Sequence, residues 1–324
     1  MSSRPTPPLR PRPGTDRPLV GIGYALGAGI TFSLADAAAK ELALALPPQE
    51  VSWMRWVGYL AAVLPVMIAT RGGVLRSGSP RLQALRAVCL LGSSLLFTTG
   101  LIYLPLASAT TINFVSPLLV TALSIPLLGE RVGARRWAAV VVGLVGVLIV
   151  IRPGSGTFGW PTAFPILSAA CWAVGVILTR RLGGIDGPWT AMTFTAVIGF
   201  CALSAVVPAD FVVPDTRQVV IGIVMAALAT AGQFFTVLAY VRAPASIIAP
   251  FVYVMLIWSS ALGYLFFGSV PDGWTWVGAA IIAASGIYTA HRERSLARAA
   301  ARRLSEASGF GEPPRLAGPE DGGR

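Results

Sequence analysis

The sequence predicts an all-α integral membrane protein whose ten transmembrane helices form two five-helix repeats of inverted topology. Three observations predict it. Ten apolar stretches follow one another from Leu19 to Tyr288, their connections alternate between arginine-rich and arginine-poor, and a segment around Pro126 is echoed around Tyr264. Composition agrees: hydrophobic residues make up 55% of the 324, charged residues only 12%, and the mean hydropathy is +0.71. Soluble domains carry roughly a quarter charged residues. A large soluble α/β protein is excluded, because the runs lack strand alternation and the connections are too few and short to supply a polar surface.

Residues 1–18, MSSRPTPPLRPRPGTDRP, are basic and proline-rich and predict a disordered cytoplasmic tail. They do not make a signal peptide, since the apolar run that follows is too long and no small-residue cleavage pattern is present. A hydrocarbon core of about 30 Å needs about 20 apolar residues per helix. On that criterion the first repeat, 19–151, holds spans at 19–46, 51–70, 84–104, 107–128 and 134–151. The second, 160–290, holds spans at 160–181, 188–207, 217–239, 245–267 and 273–290. Residues 291–324 form a basic cytoplasmic tail, in which Ser295 to Ala307 has the character of an amphipathic helix for anionic lipid. The Gly/Pro-rich remainder has the composition of disorder.

Lys and Arg are retained on the cytoplasmic side during insertion. With the N-terminus inside, 21 of the 25 basic residues fall in cytoplasmic segments. Arg152 and Arg217 lie in outer loops, while Lys40 and Arg55 lie near or within spans. Topology thus explains the net charge of +11, and a nucleic-acid partner, which needs basic residues on one folded face with aromatics among them, is not implied.

Catalytic groupings are absent. His291 is the sole histidine and sits among charges past the last span, which removes the base or ligand from a Ser-His or Cys-His nucleophile and from a paired-histidine zinc site. No Walker A sequence occurs, so ATP is not the direct energy source. GSGTFG, Gly154 to Gly159, fits GxGxxG but follows no strand and leads to no acidic residue about 20 positions on, so it is a turn between spans. Cys89, Cys171 and Cys201 fall in apolar runs, with no disulfide framework or metal spacing. The sequence calls for no enzyme activity, cofactor or metal.

The repeat is visible in PLLGERVGARRWAAVVVGLVGV from Pro126 and YLFFGSVPDGWTWVGAAIIAASGI from Tyr264. Gly129 and Trp137 are eight apart, as are Gly268 and Trp276, and the offset is 139 to 140 residues. Duplication of an odd number of spans forces the second copy to enter the membrane the other way up. Such inverted repeats hold a substrate site near the midplane, between halves that rock.

These residues resemble a known family. LPLASATTINFVSPLLVTALSIPLLGERVGARRWAAVVVGLVGVLIVIRPG, from Leu104, looks like the fourth and fifth helices of EamA-type members of the drug/metabolite transporter superfamily. APFVYVMLIWSSALGYLFFGSVPDGWTWVGAAIIAASGIY, from Ala249, resembles their ninth and tenth. One departure stands out: members often carry Asp or Glu after the Gly ending the ninth helix, where this chain has Ser269, while Glu130 is present in the first half. The resemblance implies secondary transport of a small organic metabolite, such as an amino acid, S-adenosylmethionine or riboflavin, by alternating access. With the cation distribution, which puts both termini on the cytoplasmic side, the expectation is an inner (cytoplasmic) membrane carrier driven by a proton or substrate gradient. A non-transporting polytopic receptor or scaffold is the alternative, which a soluble sensor domain would favour. Oligomeric state is open, a homodimer included, because ten helices already contain both halves of a pathway.

Ionisable groups within spans are costly and need a reason. Asp36 is the one acid well inside a predicted span, Lys40 lies one turn further on the same face, and Arg55 reaches toward the same outer half from the second span. Lys40 is the only lysine, so a compact or titratable ammonium has a use there. Two readings stand. In one, Lys40 or Arg55 holds an anionic substrate group while Asp36 binds an amine or the coupling proton. In the other, the three form a structural ion-pair network. Further cavity candidates are Asn113, Gln233 and Tyr253, with Trp172 and Trp258 offering faces for a flat substrate; helix glue and lipid contact compete with that role. Gly23, Gly27, Gly143 and Gly146 suit close helix crossing, and Pro117, Pro126 and Pro250 suit kinks or hinges.

Overall fold

A computed structural model describes residues 18–128, 134–152, 159–182, 185–242, 248, 251–288 and 291. The N-terminal tail, Glu130, Pro250, the helix expected at Ser295 to Ala307 and most of GSGTFG lie outside them. Among the described residues all regular structure is helical. The helices are α1 (Pro18–Ala43), α2 (Pro48–Ala69), α3 (Pro80–Tyr103), α4 (Leu106–Asn113), α5 (Ser116–Leu128) and α6 (Ala134–Ile151), then α7 (Ala163–Leu182), α8 (Pro188–Val206), α9 (Thr216–Arg242), α10 (Val254–Phe267) and α11 (273–288). Seven described stretches, Leu106–Ser124 across the α4–α5 joint among them, are long and apolar enough to cross a bilayer; Trp137–Ile151 and Val254–Phe267 are shorter apolar helices. The chain is a multi-pass membrane protein.

Proline sets several starts. Pro48, Pro80 and Pro188 occupy the first turn of their helices, where the missing N–H costs nothing and the fixed φ suits the helix. Deeper in a helix, proline removes a hydrogen bond and crowds the carbonyl four residues back. Pro117 does this to Asn113, and the span expected as one helix over 107–128 is instead two, α4 and α5, joined at Phe114 and Val115. The span expected over 245–267 is likewise interrupted, by a turn at Tyr253. Phe114 and Tyr253 are separated by the repeat offset, and their rings meet at 5.2 Å. At the far end of α10, Gly268 takes the left-handed conformation (φ 62°). Its N–H donates to Tyr264 O and that of Ser269 to Gly263 O, closing the helix. Ser269 Oγ donates to Gly263 O as well.

The principal packing runs between the first set of helices, α1 to α6, and the second, α7 to α11. α1 packs on α9 and α3 on α7; α2 packs on α9 and α3 on α8; α5 packs on α7 and α1 on α10; α2 packs on α8. α6 crosses α11 where Gly146 meets Gly278, and Ser285 Oγ donates to Ala139 O at 2.5 Å. Exchanging the two sets turns each of these pairings into another on this list or into itself.

Polar ties pin both ends of the bundle. At the arginine-rich end, Asp186 in the α7–α8 connection accepts hydrogen bonds from Ser77 Oγ (2.5 Å), Gln83 Nε2 (2.7 Å) and Gly78 N (2.9 Å). At the opposite end Glu50 Oε2 accepts from Val212 N (3.2 Å), Arg217 pairs with Glu41 (2.8 Å), and Arg152 pairs with Asp272, which also caps α11 through Thr275. Burial works to raise the Asp186 pKa, but the three hydrogen bonds outweigh it and hold the carboxyl below the ordinary range. A carboxyl lowered on folding stabilises the protein above its unfolded pKa of about 3.9, and that stabilisation is lost as pH falls through the lower folded value. Asp186→Asn is therefore expected to lower the thermal midpoint at pH 7 and to flatten its decline below about pH 4. Parallel acid profiles for the two proteins would show that Asp186 contributes nothing.

Candidate functional site

The turn at Pro47 folds α1 and α2 into an antiparallel hairpin, which sets Asp36 level with Arg55. Arg55 Nη2 donates to Asp36 Oδ1 at 3.0 Å, and both side chains are buried. Tyr59, one turn on from Arg55, lies within electrostatic reach of both charges and stands edge-on to Trp56 at 5.5 Å. Trp56 in turn lies against Gly199 of α8. The same two helices carry polar atoms that are buried with no hydrogen-bond partner among the described residues: Ser33 Oγ three residues before Asp36, Ser52 Oγ three residues before Arg55, and Trp56 Nε1. A buried polar group left unpaired costs about 1–3 kcal/mol.

Lys40 does not join this pair. Its ammonium donates to Leu101 O and Leu104 O, each at 2.7 Å, and lies 5.4 Å from the centroid of the Phe267 ring. Those carbonyls close α3, so Lys40 caps a helix C-terminus, where orphan carbonyls favour a cation. The three charges read together from the sequence thus separate into an ion pair between α1 and α2 and a clamp from α1 onto α3.

The remaining candidates are dispersed. Asn113 Nδ2 donates to Ser168 Oγ (2.9 Å) and Pro165 O (3.3 Å), joining α4 to α7 beside the Ser93–Ser168 hydroxyl pair. Tyr253 is buried over Gly286 and against Phe114. Gln233 is half-buried on α9, next to Gly232, which packs on Thr31 and Phe32 of α1. Trp172 and Trp258 are exposed. Among the described residues no cluster of His, Cys, Asp and Glu could hold a metal ion.

Three groups were not singled out by sequence. α2 begins at Pro48, so Glu50, outside the expected span, lies in its first turn and is fully buried; Asp36 is not the sole buried acid. Arg86, counted as a cytoplasmic cation, is buried two turns into α3, with Nε donating to Thr179 Oγ1 (2.6 Å) and Nη1 to Thr195 Oγ1 (2.6 Å) and Ala191 O (2.9 Å). Tyr59 carries no sequence signal beyond its position one turn after Arg55.

A family model, the EamA-like transporter family, matches twice, over residues 19–152 and 160–289. The chain belongs to the EamA-like transporter family. It is thus a transporter-family protein and not an enzyme. A riboflavin transporter of Rhizobium johnstonii is 30% identical over 284 residues, covering 86% of this chain and 93% of the relative. An S-adenosylmethionine uptake transporter of Rickettsia prowazekii is 25% identical, covering 85% and 94%. A pseudopaline exporter of Pseudomonas aeruginosa is 26% identical, covering 81% and 93%. A crystal structure with 20% identity aligns over 88% of this EamA chain and 98% of its own, with a TM-score of 0.58, so the fold is shared.

Proposed function

We propose that this EamA protein is a secondary carrier that moves a small organic metabolite across the cell inner membrane by alternating access. In this reading the ten spans form two inverted five-helix halves, 19–151 and 160–290, with a cytoplasmic tail of residues 1–18 before them and another, 291–324, after. The arginine-rich end and both termini are cytoplasmic. The packing supports it: each main pairing recurs when the two helix sets are exchanged, as a two-fold relation between halves requires, and inverted-repeat carriers place substrate between such halves.

The observation that carries the reading is the buried Asp36–Arg55 pair, on helices that also hold hydroxyl and indole groups with no partner among the described residues. A buried pair gains little net stability over an apolar replacement, and intramembrane ionisable groups mark substrate or proton paths. A substrate carboxylate that takes Arg55 frees Asp36 to accept an amine or a coupling proton. Relatives that take riboflavin or S-adenosylmethionine set the class of solute to try first. The purified protein should gain thermal stability with at least one of riboflavin, S-adenosylmethionine or the common amino acids, by mass action. The same compound should cross proteoliposome membranes only where the protein is present. Binding without flux would favour a receptor instead.

A further inference from the structure

We propose that Arg86 receives an anionic group of the transported solute, a carboxylate or a phosphate, at the arginine-rich end of the bundle. The inference rests on the carrier reading and adds to it the chemical class of the solute.

Four cations and acids stand deep in the described helices: Asp36, Lys40, Arg55 and Arg86; Glu50 lies at the margin. Asp36 and Arg55 cancel each other. Glu50 is tied to Val212 N at the opposite end from Arg86. Lys40 spends two of its three N–H groups on carbonyls and turns toward the Phe267 ring. Arg86 differs from all of these. Its hydrogen-bond partners are two threonine hydroxyls and one backbone carbonyl, all neutral. Asp186 is engaged by Gln83, one turn before Arg86 on the same face, and forms no ion pair with it. Nη2 of Arg86 makes no hydrogen bond to any described residue, yet it is not among the enclosed unpartnered atoms.

A guanidinium cannot shed its proton to escape burial, and a buried charge held only by neutral groups is left with a positive potential that an anion relieves. The position is suited to a solute, because α3 belongs to one helix set while Thr179, Ala191 and Thr195 belong to α7 and α8 of the other. The three neutral contacts take up Nε and both N–H groups of Nη1, fix the plane of the guanidinium and leave Nη2, with its two N–H donors, for a charge-assisted contact to a carboxylate or phosphate oxygen.

The test uses the full-length protein and two pairs of probes that differ in one anionic group. Riboflavin 5′-phosphate against riboflavin reads a phosphate; S-adenosylmethionine against its decarboxylated form reads a carboxylate. Affinities come from thermal stabilisation in detergent and from competition for uptake in proteoliposomes. In at least one pair the member that carries the additional anionic group should bind about tenfold tighter or more, the worth of a hydrogen bond to a charged group. Arg86→Gln should bring that ratio close to one and leave the affinity of the member without the anionic group within about twofold, while Arg86→Lys, which keeps the charge without the planar guanidinium, should retain part of the preference. Equal binding within both pairs overturns the inference and leaves the carrier reading standing. So does an equal loss for both members of a pair in Arg86→Gln and Arg86→Lys, which would make Arg86 a tie between α3, α7 and α8. If none of the four probes binds or crosses, the inference falls together with the carrier reading for these solutes.

Discussion

Asp36→Ala is expected to destabilise the protein by about 3–5 kcal/mol, measured by unfolding in detergent, because it strands the Arg55 guanidinium in a buried site. Arg55 sits two turns inside α2, and its carboxylate partner is the one ion pair it makes among the described residues. Arg55→Ala should cost a similar amount for the mirror reason. The double change Asp36→Asn with Arg55→Met removes both charges and should recover most of the loss, since a matched apolar or neutral replacement of a buried pair is often neutral or better. This cycle separates the two readings of the pair. If the double variant is stable and inserted but transports nothing, the charges serve the solute or the coupling ion. If it is stable and transports at the original rate, the pair is structural and the proposed site is wrong.

Gly278→Ala is the second large effect, at about 1–3 kcal/mol. A methyl group built there would stand 2.6 Å from Gly146 O and 3.3 Å from Val150 N. Both are backbone atoms of α6, which cannot swing aside as a side chain does, so α6 and α11 must separate and the Ser285 to Ala139 hydrogen bond must stretch. Without an apolar driving force between helices in lipid, such close backbone approach is what holds the crossing together. Gly29→Ala is the control: nothing lies within 4 Å of a methyl group there, and losing a helical glycine should be neutral or stabilising by up to about 1 kcal/mol. Equal thermal midpoints for the two variants would show that the α6–α11 crossing is loose.

Much of the fold was legible because its signals are local. Apolar runs of bilayer length and prolines at first turns need no knowledge of neighbours, and they placed the starts of α1 to α4, α6 to α9 and α11 within a few residues, while α5 and α10 begin inside spans expected to be continuous. The joint at Phe114 was half legible: Pro117 announced a kink, but whether a kink bends a helix or divides it depends on what satisfies the freed carbonyls. The pairing of Asp36 with Arg55 could be anticipated from the hairpin turn at Pro47. The diversion of Lys40 could not, since its acceptors, Leu101 and Leu104, are remote in sequence and are ordinary apolar residues whose carbonyls matter only because α3 ends there. Arg86 was hidden by its own chemistry. An arginine two turns from a helix end reads as an anchor at the membrane edge until Thr179, Ala191 and Thr195 are seen around it.

By itself, then, the sequence determined that the chain crosses a membrane many times, roughly where most of its helices begin and that it carries an internal repeat, because hydropathy, helix length and internal repetition are properties of the chain alone. Which buried charges neutralise one another, which glycines carry a crossing and which cation keeps a free donor were decided only by the tertiary structure. Those are facts about pairs of groups brought within a few ångströms by packing, and in a low-dielectric interior a few ångströms decide whether a charge is paired or left for a ligand.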